Sequence, residues 1–413
     1  MSGDKGFRND KGFRNDKGFR NKVAIVGAAT VKSVRHADSP VGSLAVQTAD
    51  LAIKDAGLTR GDIDGVACGV SLPSYATKDR VTKPGFDFVD SEFLIEQMDL
   101  DPVWSLDDGS FPPALAHAVF AVASGAASCV LVNRTLHNPV GRYNTMLSQQ
   151  ARGWDQFTAP YGFVAPSSGI AMPFMEYQQR YGATREHMAT LVLQQRKNVQ
   201  RIPDAYWHGR ELTFDDYMSS RMISEPMCLY DNDIPVDGGG SFVVTTAERA
   251  RDLPHKPVYV TSWAKIRNPP TFLPGTLGPL DDFYDRGFDL AGRLWANSGW
   301  RASDVDVVQL YDGFTPLVWF WLEVMGFCPQ GQAWSFIQDG RIDADGPFPL
   351  NSGGGNQGWG RVHGVPHVLE CYLQLSGRAG ERQSARAETA LSTYATPAHA
   401  IGEALLYSAD PTS

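Results

Sequence analysis

The sequence predicts an α/β protein built from two duplicated halves. Residues 22–30, KVAIVGAAT, form an apolar and partly β-branched run closed by small residues, which is typical of a buried strand. A segment with apolar residues at helical spacing follows, and then a second strand, so the chain opens with a β-α-β unit. Residues 55–69, DAGLTRGDIDGVACG, align without gaps with residues 297–311, NSGWRASDVDVVQLY. This long-period repeat predicts two similar α/β halves packed together.

The two copies of the repeat predict the same order of elements. Each contains a glycine, an apolar residue, three loop residues and then an Asp-apolar-Asp triplet before an apolar run. In the first copy Gly57 ends a helix whose apolar positions include Ala45, Ala49 and Ala52, and Ile63 begins the next strand. We therefore expect helix, turn and strand in both copies.

Composition shifts divide the chain. The first half is predicted to span residues 22–250 and the second half residues 257–413, with residues 251–256, RDLPHK, as the linker. Residues 134–222 contain many Tyr, Trp, Arg and Gln and few long apolar runs. We expect this segment to be an insertion that caps the first half and shapes a substrate pocket.

The first 21 residues contain the hexapeptide DKGFRN three times in succession. The repeat is rich in glycine and alternating charge, and it is too short to bury Phe7, Phe13 or Phe19 by itself. Residues 1–21 are therefore predicted to be a disordered leader, to which we assign no function.

The composition is that of a globular protein with a large core. The 413 residues are 43% hydrophobic and 20% charged, and a net charge of −9 argues against nucleic-acid binding. No window approaches 18 uninterrupted apolar residues, and the charged N-terminus is unlike a signal peptide. We expect a cytoplasmic protein without a membrane span.

The five cysteines are scattered along the chain without a CxxC pair. This pattern excludes a zinc cluster of the cysteine type and suits a reducing compartment. We expect the cysteines to be inert apolar core residues rather than nucleophiles or ligands. They are Cys68, Cys129, Cys228, Cys328 and Cys371.

Several segments, taken in order, carry a family resemblance. They are SLDDGSFPPALAHA at 105–118, SEPMCLYDNDIPVDGGGSFVV at 224–244, YDGF at 311–314 and NSGGG at 351–355. Together with the duplication, they resemble the thiolase superfamily and, more narrowly, its sterol-carrier-protein-X or lipid-transfer-protein branch. The resemblance extends from about Lys22 to the C-terminus. It implies a five-layered αβαβα fold.

The motifs that carry thiolase chemistry are all altered. The nucleophilic cysteine of that family falls at about Gly109 or Ser110, and its HDCF motif reads YDGF. Arg361 stands at the position of the family's GHP histidine, and His363-Gly364 follows. The steroid side-chain aldolases of the same branch also lack the cysteine and have a YDxF motif and an HG pair, so the chain most resembles them. They commonly have tyrosine where this chain has Arg361.

A retro-aldol cleavage needs one base, an oxyanion hole and a proton source, but no covalent intermediate. The resemblance implies that Tyr311 is an acid or base on the substrate oxygen; alternatively it is a strand-end tyrosine bonded to the backbone. His363 is expected to exchange protons near neutral pH or to polarise a thioester carbonyl, or else to bond the adjacent loop. Arg361 cannot act as a base, and we expect it to hold an enolate or a CoA phosphate.

The substrate and oxyanion contacts are predicted around the glycine-rich loop and the start of the central helix. Successive glycines present backbone N–H groups, although they also simply make turns. Neither a metal nor a cofactor is expected, apart from the CoA of the substrate. The predicted contact residues are Ser110, Asp312, Asn351, Gly353, Gly354 and Gly355.

The resemblance implies cleavage of a β-hydroxyacyl-CoA, with a steroid-like side chain, to a ketone and a short acyl-CoA. Two alternatives stay open: a thiolase-type acyltransferase with an unrecognised nucleophile, and a non-catalytic subunit that binds acyl-CoA. The resemblance also implies a homodimer formed through the first-half sheet, with residues 127–133, ASCVLVN, as an edge strand. A small OB-fold and zinc-ribbon partner protein is expected in an α2β2 complex.

Overall fold

A computed structural model describes residues 18–70, 83–138, 155–163, 166–266, 279–397 and 402–412. Nine strands form one mixed sheet, and two short strands, β5 (Met222–Ser224) and β6 (Met227–Cys228), form a second. The strands of the large sheet are β1 (Val23–Val34), β2 (Gly65–Gly69), β3 (Trp104–Asp108), β4 (Cys129–Leu136), β7 (Asp237–Thr246), β8 (Val258–Lys265), β9 (Val307–Gln309), β10 (Thr389–Tyr394) and β11 (Glu403–Ser408).

The large sheet consists of two parts that correspond to the two halves of the chain. Its strand order is β3-β2-β4-β7-β1 in the first half, continued by β8-β11-β10-β9 in the second. The two parts join where β1 pairs antiparallel with β8, at Ala24 opposite Tyr259 and Ile25 opposite Val258. The edge strands are therefore β3 and β9.

The edge strand predicted in the first half is wrong. The ASCVLVN segment leads into β4, which pairs with β2 on one side and β7 on the other and is buried along its whole length. The edge is instead β3, whose Ser105 and Asp107 are exposed while the residues between are partly buried. An apolar β-branched run is typical of a central strand as much as of an edge, which explains the error.

The helices form the other layers. α1 packs on the outer face of the first-half sheet, α3 and α13 lie between the two parts of the sheet, and α9 covers the outer face of the second half. This is the five-layered αβαβα arrangement that the sequence predicts. The helices are α1 (Val41–Asp55), α2 (Ser91–Met98), α3 (Phe111–Ser124), α4 (Asp155–Thr158), α5 (Pro166–Tyr181), α6 (Arg185–Asn198), α7 (Phe214–Ser219), α8 (Ala247–Ala250), α9 (Leu280–Ser298), α10 (Thr315–Val324), α11 (Ala333–Phe336), α12 (Gly355–Trp359) and α13 (Val365–Leu375).

The two copies of the repeat have the same local structure. In each, a helix ends before a glycine with positive φ, Gly57 at 71° and Gly299 at 72°, and a single 3-10 turn leads into a strand. In each copy the aspartate before the strand accepts a hydrogen bond from a backbone N–H at the start of a neighbouring parallel strand, β4 in the first copy and β10 in the second. Asp64 accepts from Cys129 at 2.7 Å, and Asp306 accepts from Glu388 at 3.0 Å. The predicted helix, turn and strand are confirmed in both copies.

The last residues of the leader are ordered, which corrects one part of the prediction. Phe19 is only 5% exposed and packs edge-to-face on Phe120 of α3, with ring centroids 5.2 Å apart. The Asn21 amide donates to the Val260 carbonyl at 2.9 Å. Phe19 is buried against the core of the folded protein. The short repeat therefore does not need a core of its own to bury this side chain. Residues 1–17 of the predicted leader lie outside the described residues.

The predicted start of the cap insertion also needs correction. β4 continues through Leu136, and residues 134–136 pair with β7. They therefore belong to the first-half sheet, and the cap elements α4 to α7 come later in the chain. The polar composition that suggested an insertion begins inside the strand because Arg134 and Thr135 are buried polar residues.

Candidate active site

Arg134, near the end of β4, is a buried cation at the centre of the candidate site. Its side chain donates to the carbonyl oxygens of Val70 and, at 2.9 Å, Gly69, and a longer contact of 3.4 Å reaches the Gly109 carbonyl. Its Nη2 lies 2.9 Å from Nδ1 of His363. Within the described part of the chain, no carboxylate forms an ion pair with Arg134. A buried guanidinium without a carboxylate beside it favours the binding of an anion.

The contact with Arg134 determines which nitrogen of His363 carries the proton. A guanidinium only donates hydrogen bonds, so Nδ1 accepts and the proton of the neutral ring lies on Nε2. Burial and the charges of Arg134 and Arg361 lower the pKa of His363 well below its ordinary value. His363 is therefore a neutral N–H donor near pH 7. Of the two roles predicted for it, the geometry favours polarisation of a carbonyl over proton exchange.

Two tyrosines from neighbouring elements lie next to this pair. Tyr311 follows β9, and its backbone N–H donates to Thr393 Oγ1 at 2.8 Å. Its ring packs edge-to-face on Tyr394, the last residue of β10, with centroids 5.0 Å apart. Both tyrosines lie close enough to Arg134 to affect the pKa of its guanidinium. The site thus combines Tyr311, which the sequence predicts, with Tyr394, which no motif of the sequence indicates.

Ser110 is the N-cap residue of α3. It is one of the two positions, with Gly109, at which the resemblance places the thiolase nucleophile. It is buried, and its backbone N–H donates to Asp108 Oδ1 at 3.3 Å. Burial raises the pKa of Tyr394, whereas the charge of Arg134 and a hydrogen bond with the Ser110 side chain act in the opposite direction. The structure therefore brings Ser110 to the tyrosine pair.

Arg361 supplies a second cation to the site. Its backbone N–H donates to the Ile234 carbonyl at 2.8 Å, and its Nη2 donates to Asn138 Oδ1 at 2.5 Å. The charge of Arg361, together with burial and Arg134, lowers the pKa of His363. Arg134 and Arg361 together give the site a positive potential.

Asp312 has a different environment from the one predicted. It is fully buried, and its carboxylate accepts four hydrogen bonds from the protein. Because both oxygens are occupied by protein donors, Asp312 holds the start of α12 in place rather than presenting a free carboxylate to a substrate. The donors are Gln195 Nε2 at 2.7 Å, Asn356 N at 2.7 Å, Gln357 N at 3.0 Å and His367 Nε2 at 2.9 Å.

The glycine-rich loop is packed against this carboxylate. Gly355 has φ of 57°, and a Cβ atom there would lie 2.2 Å from Asp312 Oδ2. Gly353 and Gly354 are buried as well, and the Gly354 amide donates to the Asn351 carbonyl at 2.7 Å. That amide is therefore already used within the loop. The glycines allow the backbone to approach its neighbours closely, which is a packing role.

Asn351 joins the glycine-rich loop to the second-half sheet. Its Oδ1 accepts from the Leu310 amide at 2.7 Å, and its Nδ2 donates to the Leu310 carbonyl at 2.9 Å. Its own carbonyl accepts from Asn198 Nδ2 of α6 at 3.0 Å. Its side-chain amide thus continues the hydrogen bonding beyond β9, and the cap helix α6 binds the same loop.

The five cysteines are free and buried, as the sequence predicts. Burial raises the pKa of every one of these thiols, that of Cys129 to about 12. Cys371 Sγ contacts the Leu391 carbonyl, and Cys68 Sγ contacts that of Val89. All five thiols are therefore protonated near neutral pH and unsuited to nucleophilic attack.

Neither a membrane-spanning helix nor a metal-binding cluster occurs in the described ranges. No helix there combines the length and the apolar character needed to cross a membrane. The same residues contain no group of three His, Cys, Asp or Glu side chains that could hold a metal ion.

Comparison with known proteins identifies the family. Residues 281–402 match the family described as Thiolase C-terminal domain-like. The chain is 32% identical over 366 residues to a 17-hydroxy-3-oxo-4-pregnene-20-carboxyl-CoA lyase of Mycobacterium tuberculosis, covering 86% of this chain and 92% of that protein. It is 30% identical over 364 residues to a steroid side-chain-cleaving aldolase of Thermomonospora curvata, covering 86% and 90% respectively.

The fold agrees with these relatives. A solved structure of an Ltp2-ChsH2(DUF35) aldolase superimposes with a TM-score of 0.82 at 27% identity, covering 95% of this chain and 99% of that one. The fold and the altered motifs thus define a carbon–carbon lyase of the aldolase type. The chain belongs to the thiolase superfamily, in its sterol-carrier-protein-X branch with the steroid side-chain-cleaving aldolases.

Proposed function

We propose that the enzyme cleaves a β-hydroxyacyl-CoA with a steroid side chain by a retro-aldol reaction, without a cysteine nucleophile. The observation that carries this proposal is the arrangement of Tyr311 and His363 around the buried Arg134. It offers a proton-transfer group, a neutral N–H donor and a positive charge, but no reactive thiol. The name of the Mycobacterium tuberculosis relative also describes a CoA ester with a hydroxyl on the carbon β to the thioester carbonyl.

The reaction requires only groups that the site contains. Tyr311, in its phenolate form, takes the proton of the substrate hydroxyl, and the oxygen's electron pair forms the ketone. The bond between the α and β carbons breaks, and its electron pair generates the thioester enolate. His363 Nε2–H donates to the enolate oxygen, and Arg134 and Arg361 stabilise its charge. No cofactor is needed beyond the CoA of the substrate.

The decisive experiment is turnover of a panel of synthetic β-hydroxyacyl-CoA esters, steroid and aromatic, with identification of the products. A ketone and a short acyl-CoA in equal amounts are expected from a steroid ester. Cleavage only of the aromatic esters would contradict the steroid assignment, and no cleavage of any ester would contradict the reaction.

Mass spectrometry of the intact protein after incubation with an acyl-CoA tests the alternative of acyl transfer. Transfer by a thiolase-type mechanism leaves an acyl group on the enzyme between two substrates. Because all five thiols are buried and protonated, we expect no change in mass. An adduct that turns over would favour the acyltransferase and count against the aldolase.

The proposed assembly is an α2β2 complex with a small OB-fold and zinc-ribbon protein. It is supported by the similar Ltp2-ChsH2(DUF35) aldolase structure, which combines two proteins, and by the exposed edge of β3, which a second copy could extend. Light scattering of the isolated chain is expected to give the mass of a dimer. A monomer would contradict the dimer, and full activity of the isolated chain would contradict the requirement for a partner.

A further inference from the structure

We propose that Tyr394 is a second catalytic residue, which donates the proton to the α carbon of the enolate while Tyr311 takes the proton of the substrate hydroxyl. This inference rests on the proposed retro-aldol function and deepens it by dividing the two proton transfers between two side chains. The reason is geometric, because the two phenols belong to one buried pair at the centre of the site.

The residue lies where several elements of both halves meet. The Gly364 backbone, beside His363, approaches the Tyr394 ring so closely that a Cβ on Gly364 would lie 3.2 Å from Tyr394 Cδ2. The same Cβ would lie 2.8 Å from Cγ of Pro112, at the start of α3. Tyr311 covers another side of the ring. Tyr394 is thus enclosed by the elements that carry the other groups of the proposed site.

The surroundings of Tyr394 suit an acid that must hold a negative charge after donation. Burial raises its pKa, so the phenol is protonated in the resting enzyme. Once the proton has left, Arg134 and the Ser110 side chain stabilise the phenolate. Two carboxyl groups make the phenolate less favourable: Glu403, which pairs with Tyr394 across β10 and β11, and Asp108. Burial raises the pKa of Glu403 to about 8, which favours the neutral carboxyl and so reduces its repulsion of the phenolate.

The steps balance over one turnover. The substrate hydroxyl gives its proton to the Tyr311 phenolate, and cleavage of the carbon–carbon bond releases the ketone. The Tyr394 phenol then gives its proton to the α carbon, and the enolate becomes the short acyl thioester. Water takes the proton of the Tyr311 phenol and supplies one to the Tyr394 phenolate, which restores the starting state. The net change is transfer of one proton from oxygen to carbon.

Exchange of the α protons of propionyl-CoA in D2O isolates the second step. In the reverse direction Tyr394 loses its proton to water, removes an α proton as the phenolate and returns a deuteron, and no ketone is needed. We expect Tyr394→Phe to lower the exchange rate by at least about a hundredfold, and cleavage of the steroid ester by a similar factor. Tyr311→Phe should lose cleavage but keep most of the exchange, since the Tyr311 hydroxyl acts on the substrate hydroxyl and not on the α carbon.

The matched control is Tyr407→Phe. Tyr407 is also a fully buried tyrosine, on the strand next to β10, and its hydroxyl bonds Ser392 Oγ at 2.9 Å. Its replacement removes a buried hydroxyl outside the site, so both rates are expected to stay near those of the wild type. The circular dichroism and melting temperature of each variant report on folding.

The outcomes separate this inference from the proposed function. If the wild type cleaves the steroid ester and Tyr394→Phe retains exchange, the role of Tyr394 is contradicted while the aldolase stands. Equal loss of exchange in the Tyr311 and Tyr394 variants would contradict the division of roles. A wild type that neither cleaves nor exchanges contradicts the proposed function and this inference together.

If Tyr394→Phe does not fold, 3-fluorotyrosine at position 394 provides a second test. This side chain keeps the hydroxyl and nearly the same size, but its phenol is more acidic. If Tyr394 transfers the proton at carbon, the pH profile of exchange moves to lower pH. An unchanged profile in the folded, substituted protein would overturn the assignment.

Discussion

At the level of single residues, the contact between Arg134 and His363 determines what the histidine can do. With Nδ1 bound to a guanidinium, the ring presents an N–H group through Nε2 and has no free lone pair for a proton. An arginine that forms no carboxylate pair in the described chain keeps its charge available for an anion. The two residues thus act as one donor unit for a developing enolate.

The lowered pKa of His363 has a consequence for stability. Below about pH 6.5 the unfolded chain takes up a proton on this histidine, whereas the folded protein does not. Stability therefore falls as the pH decreases from 6.5 towards the folded-state pKa. Between pH 7 and pH 5, we expect the melting temperature of His363→Gln to fall less than that of the wild type. The control is His36→Gln, at an exposed histidine, and its melting temperature should vary with pH as that of the wild type does. The same dependence of melting temperature on pH in all three proteins would contradict the lowered pKa of His363.

Tyr311→Phe tests the first proton transfer. Removal of a general acid–base group typically lowers turnover by about a hundred- to ten-thousand-fold, and we expect at least the lower figure. The fold should be retained because only a hydroxyl is lost. Cys129→Ala and Cys371→Ala are the controls and should keep the chemistry, whatever they do to stability. Nearly full activity in Tyr311→Phe, together with an inactive but folded cysteine variant, would refute the cysteine-free mechanism.

At the level of elements, the short helix α12 depends on Asp312. Its first N–H groups, a cap-helix glutamine and a buried histidine all donate to one carboxylate. Asp312→Asn places an amide N–H among these donors, and we expect it to cost about 2–4 kcal/mol of unfolding free energy, measured by denaturant titration. Asp216→Asn is the control because Asp216 is the exposed N3 residue of the capping box of α7, and little change is expected there. An equal loss of unfolding free energy in the two variants would contradict a stabilising role for the four hydrogen bonds to Asp312.

The elements also show which features a sequence can predict. The helix, turn and strand of each repeat follow from local signals, such as Gly57 and the aspartates, and these were predicted. The order of strands depends on pairing between distant segments, so local signals alone place β4 at an edge although it is central. The polar residues at the end of β4 place Arg134 in the predicted cap, although it belongs to the sheet. Tyr394 was missed because no motif marks a tyrosine at the end of a strand, and only packing brings it to Tyr311.

At the level of the whole molecule, an ion pair connects the two halves. Asp55, at the end of α1, accepts from Arg378 of the second half at 2.6 and 3.1 Å and from the Ala28 amide at 3.0 Å. Burial opposes ionisation of Asp55, but the hydrogen bonds from Arg378 and Ala28 outweigh it and lower its pKa. The pair's contribution is therefore present above about pH 4 and is lost as the pH falls through the folded-state pKa.

Asp55→Asn is expected to lower the unfolding free energy by about 1–3 kcal/mol at pH 7, with a smaller difference from the wild type below pH 4. Asp50→Asn is a matched control, because Asp50 also receives two bonds from one arginine, Arg60, but both side chains are more than 40% exposed. Little change is expected from it. A difference between Asp55→Asn and the wild type that does not vary with pH would contradict the lowered pKa.

The enclosure of all five cysteines affects how the enzyme tolerates its chemical surroundings. Enzymes that work through a thiolate are inactivated by alkylating agents and by peroxide, because the same ion reacts with both. Here burial keeps each sulfur protonated and out of reach. After long incubation of the native protein with iodoacetamide, we expect unchanged turnover and no carbamidomethyl groups in the intact mass. Oxidative stress that inactivates a thiolate-dependent relative would therefore leave this catalyst working.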